Sequence, residues 1–281
     1  MRCVIDGIRT FNSSHVLTEG GLRRLLPIVL LAVALVLPHA ALADSLWLGT
    51  DNTNIRSVLN TDLAGNVLQS VGPLEASGIA INGAANLIYF GTAAGTITGR
   101  SLSNPGTVLV TLNPPTQFGE DMAFDGAFLW RVDINAQKVD KIDLAGNIVS
   151  SFDPGFIPLG LAWDGSDLWV SEFTNNGLVK QFTTAGVATG NQFNAPTGGD
   201  ITGGLAWDTS NSTLWIGTFG NVYHSTTAGV GLGSFAVSDG RFVDGLEFQT
   251  TASSVPEPTS FLLLASVAAI VVWKRSRALA R

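Results

Sequence analysis

A pair formed by an aliphatic and an aromatic residue recurs five times along this chain, at intervals of 39 to 46 residues. The pairs are Leu46-Trp47, Ile88-Tyr89, Leu129-Trp130, Leu168-Trp169 and Leu214-Trp215. A second motif recurs at a similar period, in segments that begin at Gly78, Asp121, Gly160, Gly204 and Gly245. Because self-similarity at a fixed period is typical of repeat architectures, each repeat is expected to form one supersecondary unit.

The repeat between Gly160 and Phe193 shows the strand pattern most clearly. An apolar segment is followed by the turn Asp164-Gly165, by a second strand-like segment over 167–173, and by two more segments separated by Gly-containing turns. Asp-Gly is a strong hairpin signal, and short strands with frequent turns indicate an all-β fold. Four strands in a period of about 41 residues predict one blade of a β-propeller. A solenoid of parallel strands is the alternative, although its period would be shorter.

The two ends of the repeat region complement each other. The region begins at a second strand, Leu46-Trp47, and ends just after a first strand, Gly245–Phe248. We expect this last strand to complete the blade formed by residues 46–71, which would close the ring and remove exposed strand edges. The sequence therefore predicts a propeller of five blades over residues 44–250.

Small and aromatic residues alternate along the first strand of each repeat. The small position holds Ala80, Ala123, Ala162 and Ala206, and it suits an innermost strand, where blades converge. The aromatic position holds Phe124, Trp163, Trp207 and Phe248, which should pack between blades. We interpret the tryptophans of the repeated pairs as core residues rather than as a platform for sugars.

The N-terminal residues have the pattern of a secretory signal peptide. Arg23 and Arg24 precede an apolar run over 25–37, and Ala41 and Ala43 form an A-x-A cleavage site. We therefore expect residues 1–43 to direct the chain to the Sec export machinery and to be removed after Ala43. A retained membrane anchor is the alternative, but the run is shorter than the roughly 20 residues that span a bilayer.

The C-terminal residues form a tripartite pattern. The linker 251–260 contains Val255-Pro256-Glu257-Pro258, an apolar segment over 261–273 follows, and the tail 274–281 is basic. This arrangement resembles the PEP-CTERM family of sorting signals. The resemblance implies a short transmembrane helix over 261–273 in the inner membrane, a cytoplasmic tail, processing by an exosortase, and delivery to the cell surface or the extracellular matrix of a host that makes an exopolysaccharide. A plain tail anchor is the alternative.

The composition of the exported part excludes several functions. Residues 44–254 contain seven Lys and Arg against 19 Asp and Glu, a net charge of −12. Nucleic acid is a poor partner for such a surface. Cys3 lies in the predicted signal peptide, and His224 is the one histidine of the exported part. A disulfide framework, a thiol nucleophile and a His/Cys zinc site are therefore excluded there.

Acidic residues mark the loops that lead into the predicted innermost strands. They are Glu120, Asp121, Asp200 and Asp244, and Glu247 replaces the small residue of the last strand. Converging carboxylates could hold Ca²⁺, which takes 6–8 oxygen ligands; solvated acidic loops are the structural alternative. We place His224 near the end of a second strand, away from the mouth of the channel.

Two function classes remain open from the sequence. The favoured one is a non-enzymatic surface propeller that binds matrix polysaccharide or other proteins, and we identify no catalytic residue. The alternative is a hydrolase or lyase that resembles the propeller lactonases, whose metal sits in the channel. Those enzymes usually have six or seven blades, and this chain has no histidine near the predicted mouth to act as a general base.

Overall fold

The computed structural model describes residues 44–116, 118–174 and 176–250. The predicted signal peptide, the linker with its sorting motif, the transmembrane segment and the basic tail lie outside these residues. Within the described ranges, no helix is long and apolar enough to cross a membrane.

The strands form four-stranded antiparallel sheets, which are the blades. In blade 1, the second, third and fourth strands are β1 (Ser45–Leu48), β2 (Val58–Asp62) and β3 (Val67–Val71). Blade 2 contains β4 (Gly78–Asn82), β5 (Leu87–Gly91), β6 (Ile97–Ser101) and β7 (Asn104–Leu112). Blade 3 contains β8 (Gly119–Phe124), β9 (Leu129–Asp133), β10 (Lys138–Ile142) and β11 (Ile148–Phe152).

Blades 4 and 5 follow the same order. Blade 4 contains β12 (Pro158–Trp163), β13 (Leu168–Glu172), β14 (Leu178–Phe182) and β15 (Ala188–Asn194). Blade 5 contains β16 (Leu205–Asp208), β17 (Thr213–Gly217), β18 (Asn221–Thr226) and β19 (Gly231–Ala236). The final strand, β20 (Leu246–Gln249), joins blade 1.

Pairing between β20 and β1 closes the ring. The two strands are antiparallel, with Leu46 opposite Phe248 and Leu48 opposite Leu246. The first strands of blades 2 to 5 lie at the inner edge of their sheets, as β20 does in blade 1, and these five strands contact one another around a central axis. The predicted five-bladed propeller with strand closure is confirmed. Because the ring closes within residues 45–249 and contains its own cores, residues 44–254 are expected to fold as a unit.

The hydrophobic core consists of five clusters, each of which lies between two neighbouring blades. Between blades 1 and 2, for example, the ring of Trp47 lies 6.1 Å from that of Phe90, measured between centroids. Phe124, Trp163, Trp207 and Phe248 belong to these clusters or pack against them. The prediction that these aromatics pack between blades is confirmed.

In blades 3 and 4, an aspartate in the turn between the first and second strands explains why the Leu-Trp pair follows this turn at a fixed spacing. The Asp125 carboxylate accepts the backbone N–H groups of Ala127 and Phe128 and, at 2.8 Å, the indole N–H of Trp130. Asp164 accepts the Trp169 indole N–H in the same way at 2.9 Å. One side chain thus fixes the turn and satisfies the polar atom of a buried tryptophan.

Four of the five repeated segments that form the inner strands begin with glycine, and at Gly78 and Gly160 the next blade is too close for a side chain. A Cβ atom on Gly78 would lie 2.4 Å from the carbonyl oxygen of Glu120, and one on Gly160 would lie 2.1 Å from that of Gly203. Blade 3 differs, since Asp121 stands at the corresponding position. This exception places a carboxylate at the centre of the ring.

Candidate functional site

The Asp121 side chain joins the inner strands of four blades. Its Oδ2 accepts the backbone N–H groups of Leu161 at 3.0 Å and Leu205 at 2.8 Å. Its Oδ1 accepts those of Met122 at 2.9 Å and Leu246 at 3.3 Å. An inner strand has no partner on its axial edge, so these N–H groups would otherwise be buried without an acceptor. Asp121 therefore acts as a structural clasp on the axis.

Burial is the main electrostatic influence on the two axial acids. It raises the pKa of the fully buried Asp121 carboxyl, while the hydrogen bonds from the backbone amides act in the opposite direction. Burial, followed by the charge of Asp121, also raises the pKa of Glu247 on β20. In the part of the chain that the structure describes, no three His, Cys, Asp or Glu residues are grouped so that they could hold a metal ion.

A cavity of about 470 Å³ opens at one end of the channel. Loops that follow the second strands of blades 1, 3, 4 and 5 form its rim, together with the segments that lead into inner strands. Its carboxyl groups belong to Asp51, Glu120 and Asp244. Its aromatic walls are Phe118, Phe173, Phe219 and Phe242. The mouth of the channel thus combines carboxyl groups with aromatic surface.

Glu120 is the least solvated of the acids in this cavity. Glu120 is 3% exposed, and its Oε2 atom has no hydrogen-bond partner among the residues that the structure describes. Burial raises its pKa to about 9; the charges of Asp244 and Asp51 act in the same direction, and Arg131 opposes them. Glu120 therefore carries a proton at neutral pH unless a cation approaches it.

Asp244 lies on the same wall and is partly satisfied. Its Oδ2 accepts the backbone N–H of Asp51 at 2.9 Å. Burial raises the pKa of Asp244 to about 8, the N–H of Asp51 lowers it, and the charge of Asp51 raises it further. The buried carboxyls of Glu120 and Asp244 and the carboxyl of Asp51 repel one another when they are ionised. The cavity therefore favours a cationic ligand.

Two buried arginines support the walls of this end of the channel. The Arg241 guanidinium donates to Asp239, to the carbonyl oxygen of Leu48 at 3.3 Å and to that of Ser57 at 2.6 Å. Arg131 lies behind Glu120 and donates to the carbonyl oxygens of Thr92 and Gly95. Through these hydrogen bonds, each arginine connects segments that are distant in the chain.

Gly119 makes room for the second of these arginines. A Cβ atom at this position would lie 2.0 Å or less from three guanidinium atoms of Arg131. The buried arginine therefore requires glycine at the start of β8.

The structure separates the acids that the sequence groups together. Glu120 and Asp244 line the cavity. Asp121 and Glu247 lie on inner strands and do not line it, and Asp200 is exposed and outside it. The described residues therefore bring two of the five predicted acids into one cavity, with Asp51 as a third carboxyl. The calcium site stays a prediction.

The position of His224 differs from the one expected. It lies in β18, the third strand of blade 5, and not near the end of a second strand. Its imidazole stacks on Trp215 with 4.1 Å between ring centroids, and its Nε2 lies 2.6 Å from the Thr213 hydroxyl. The second strand ends at Gly217, and the turn over 218–220 leads into the third strand, which carries the histidine. His224 does not line the cavity.

Sequence reasoning missed the aromatic walls, although a signal for them exists. The residue four places after the aromatic of the repeated pair lines the cavity in four of the five blades. These residues are Asp51, Ile134, Phe173 and Phe219. Arg131 has a separate signal, because it stands where the other repeats carry Leu48, Phe90, Val170 or Ile216. A charged residue in an apolar column indicates a specific partner.

Comparison with known proteins supports the architecture. The sequence matches no protein family and no curated protein. The fold is similar to a chain in the crystal structure of a nidogen–laminin complex, with a TM-score of 0.50, 12% identity, and coverage of 75% of this chain and 99% of that one. It is also similar to glutaminyl cyclase from Myxococcus xanthus, with a TM-score of 0.50, 14% identity, and coverage of 58% of this chain and 71% of that one. The protein is a β-propeller.

Proposed function

We propose that the protein is an exported cell-surface or extracellular-matrix protein that an exosortase processes through its PEP-CTERM signal, and that its propeller binds a partner rather than catalyses a reaction. The tripartite C-terminus carries this proposal. Val255 to Pro258, the apolar segment over 261–273 and the basic tail occur in the required order. The implied partners are the Sec export machinery and the exosortase. Before processing, the protein is anchored in the inner membrane. An exopolysaccharide of the matrix is the candidate ligand.

The ring closure is compatible with such processing. The last strand, β20, ends at Gln249, before the motif that begins at Val255. A cut near Pro256-Glu257-Pro258 therefore removes no strand of the propeller. The binding role is supported by the cavity at the channel mouth, because concave sites with apolar walls and a few polar groups are typical of ligand sites.

One observation favours the second candidate, a hydrolase or lyase with a metal in the channel. Glu120 and Asp244 are buried carboxyls with raised pKa values in a cleft, an arrangement that occurs at catalytic sites. This candidate requires calcium to bind at the mouth, and a rise in the melting temperature of residues 44–254 on addition of calcium that Glu120→Gln abolishes would support it.

The sorting proposal is tested in the native host with the full-length protein. Replacing Pro256, Glu257 and Pro258 with alanine should leave an unprocessed form in the inner membrane, which immunoblotting of membrane and surface fractions would detect. Replacing Ser253 and Ser254 with alanine is the matched control and should leave processing unchanged. A mature-sized protein at the surface of cells that carry the motif variant would refute the proposal.

A further inference from the structure

We infer that the cavity at the channel mouth binds an organic cation: an ammonium group carried on a compact body with an apolar face. This inference rests on the binding role proposed above, but it does not depend on the sorting signal. The chemical class would include the amino groups of a partly deacetylated amino-sugar polymer and hydrophobic amines. The arguments come from charge, from an unpartnered polar atom, from exposed aromatic surface and from the shortage of metal ligands.

The ionisable side chains that a ligand would meet in the cavity are acidic. Asp51, Glu120 and Asp244 contribute carboxyl groups to its wall. Arg241 also lines it, but its guanidinium is fully buried and its donors are used by Asp239, Leu48 and Ser57. No donor of Arg241 is left for an anionic ligand, whereas a cation meets the carboxyl groups directly.

Glu120 supplies the unpartnered atom. This residue is 3% exposed, it lines the cavity, and its Oε2 accepts no hydrogen bond within the described residues. An unsatisfied buried polar atom destabilises the folded state. An N–H donor that entered the cavity and reached Oε2 would remove this destabilisation, so the site favours a ligand that donates a hydrogen bond to Glu120.

The aromatic residues at the rim supply a complementary surface. Phe173 is 41% exposed and Phe219 is 59% exposed, and the ring of Phe219 lies 4.4 Å from that of Phe242, measured between centroids. Exposed apolar surface around a cavity marks an interaction site. A cation placed over a phenylalanine ring is attracted to the ring quadrupole, and the apolar body of the ligand can cover the remaining ring surface.

A bare metal ion fits this cavity less well than an organic cation does. Calcium takes 6–8 oxygen ligands, but no group of three or more His, Cys, Asp or Glu residues in the described ranges is arranged to hold an ion. Asp244 already accepts the N–H of Asp51 at 2.9 Å, and both oxygens of Asp121 accept backbone amides. The volume of about 470 Å³ suits a small organic molecule.

The experiment measures binding to purified residues 44–254 by isothermal titration calorimetry. Benzylammonium and its neutral counterpart benzyl alcohol form one pair of probes, and glucosamine and N-acetylglucosamine form the second. We expect the charged member of at least one pair to bind about tenfold or more tightly than the neutral member, a difference of about 1.4 kcal/mol. Binding of glucosamine would point to an amino sugar, and binding of benzylammonium alone would point to a hydrophobic amine.

Three variants connect the binding to the cavity. Glu120→Gln keeps the size of the side chain and removes its capacity to ionise, so the charged probe should bind about tenfold or more weakly. Phe219→Ala removes an exposed ring, whose loss should not unfold the protein, and it should also weaken binding. Asp200→Asn is the matched control, because Asp200 is exposed and outside the cavity; it should bind like the wild type.

The pH dependence provides a readout that a structural role would not produce. Glu120 faces Asp51, Asp244, Asp121 and Arg131. Since burial holds its proton at neutral pH, a protonated amine that makes Glu120 ionise must cause that proton to be released. The affinity for benzylammonium, which keeps its charge in this range, should rise between about pH 6 and about pH 8 in the wild type, and the rise should be smaller in Glu120→Gln.

Several results would overturn the inference. They are equal affinity for charged and neutral probes, an absence of saturable binding in the millimolar range, and binding that neither Glu120→Gln nor Phe219→Ala weakens. Stabilisation by calcium that Glu120→Gln abolishes, with no binding of the ammonium probes, would assign the site to a metal instead. The sorting experiment measures processing of the full-length protein in cells, whereas the binding experiment uses purified residues 44–254. Failure of one proposal therefore does not affect the test of the other.

Discussion

Removing the Asp121 carboxylate should destabilise the whole ring, because one side chain satisfies backbone amides from four blades. Asp121→Ala takes the acceptor away from the N–H groups of Met122, Leu161, Leu205 and Leu246. A water molecule that fills the vacated space can accept two hydrogen bonds, so at least two amides would remain without an acceptor. At about 1–3 kcal/mol for each unsatisfied group, the expected loss is about 2–6 kcal/mol.

This loss is large compared with the stability of a typical domain, which is about 5–15 kcal/mol. Urea unfolding of residues 44–254, followed by tryptophan fluorescence, would measure it, since Trp47, Trp130, Trp169 and Trp215 are buried between blades. The slope of the unfolding free energy with urea should be similar in both proteins, so that the shift of the midpoint reports stability.

Two further variants make the result specific. Asp121→Asn retains one carbonyl oxygen, which can still accept the Leu161 and Leu205 amides on the Oδ2 side, so it should recover part of the loss. Asp200→Ala is an exposed control and should change stability by about 0.5 kcal/mol or less. If the Asp121→Ala protein were as stable as this control, the stabilising role of Asp121 at the axis would be refuted.

The remaining predictions concern pH and ring closure. Glu120 has a pKa of 4.5 in an unperturbed chain and about 9 in the fold; the folded protein therefore binds more protons between these values, and its unfolding free energy should fall as pH rises, by up to about 1.4 kcal/mol per pH unit from this residue. Glu120→Gln should reduce that slope in urea titrations, and equal slopes in the two proteins would contradict the buried position. Deleting residues 244–250 removes β20 and opens the ring, so the melting temperature should fall far more than after deletion of 251–254; unchanged melting would argue against closure by β20.

The blade pattern could be predicted from the sequence because its signals are local. Apolar residues alternate along each strand, and Asp-Gly turns follow the first strands of blades 3 and 4. The Asp125–Trp130 hydrogen bond spans five residues, so the spacing of the motif already encodes it. The closure was also predictable, because the repeat begins at a second strand, Leu46-Trp47, and ends at a first strand.

The site could be predicted only in part. Glu120, Asp200 and Asp244 all stand in segments that lead into inner strands, and the repeat alignment treats them alike. In the fold, Asp200 is exposed, while Glu120 and Asp244 are buried in one cavity. Burial depends on how neighbouring loops cover each side chain, and the loops that do so are distant in the chain. Asp51, for example, binds Asp244 across 193 residues.

The sequence by itself determined the repeat, the number of blades, the closing strand and an acid at a position where the other repeats have glycine. Only the tertiary structure decided what that acid does. Asp121 meets the amides of Leu161, Leu205 and Leu246 because the ring brings their inner strands to a common axis. Strand patterns follow from interactions between residues close in the chain, whereas hydrogen-bond partners at the axis and the pKa of a buried acid follow from groups that are close only in space.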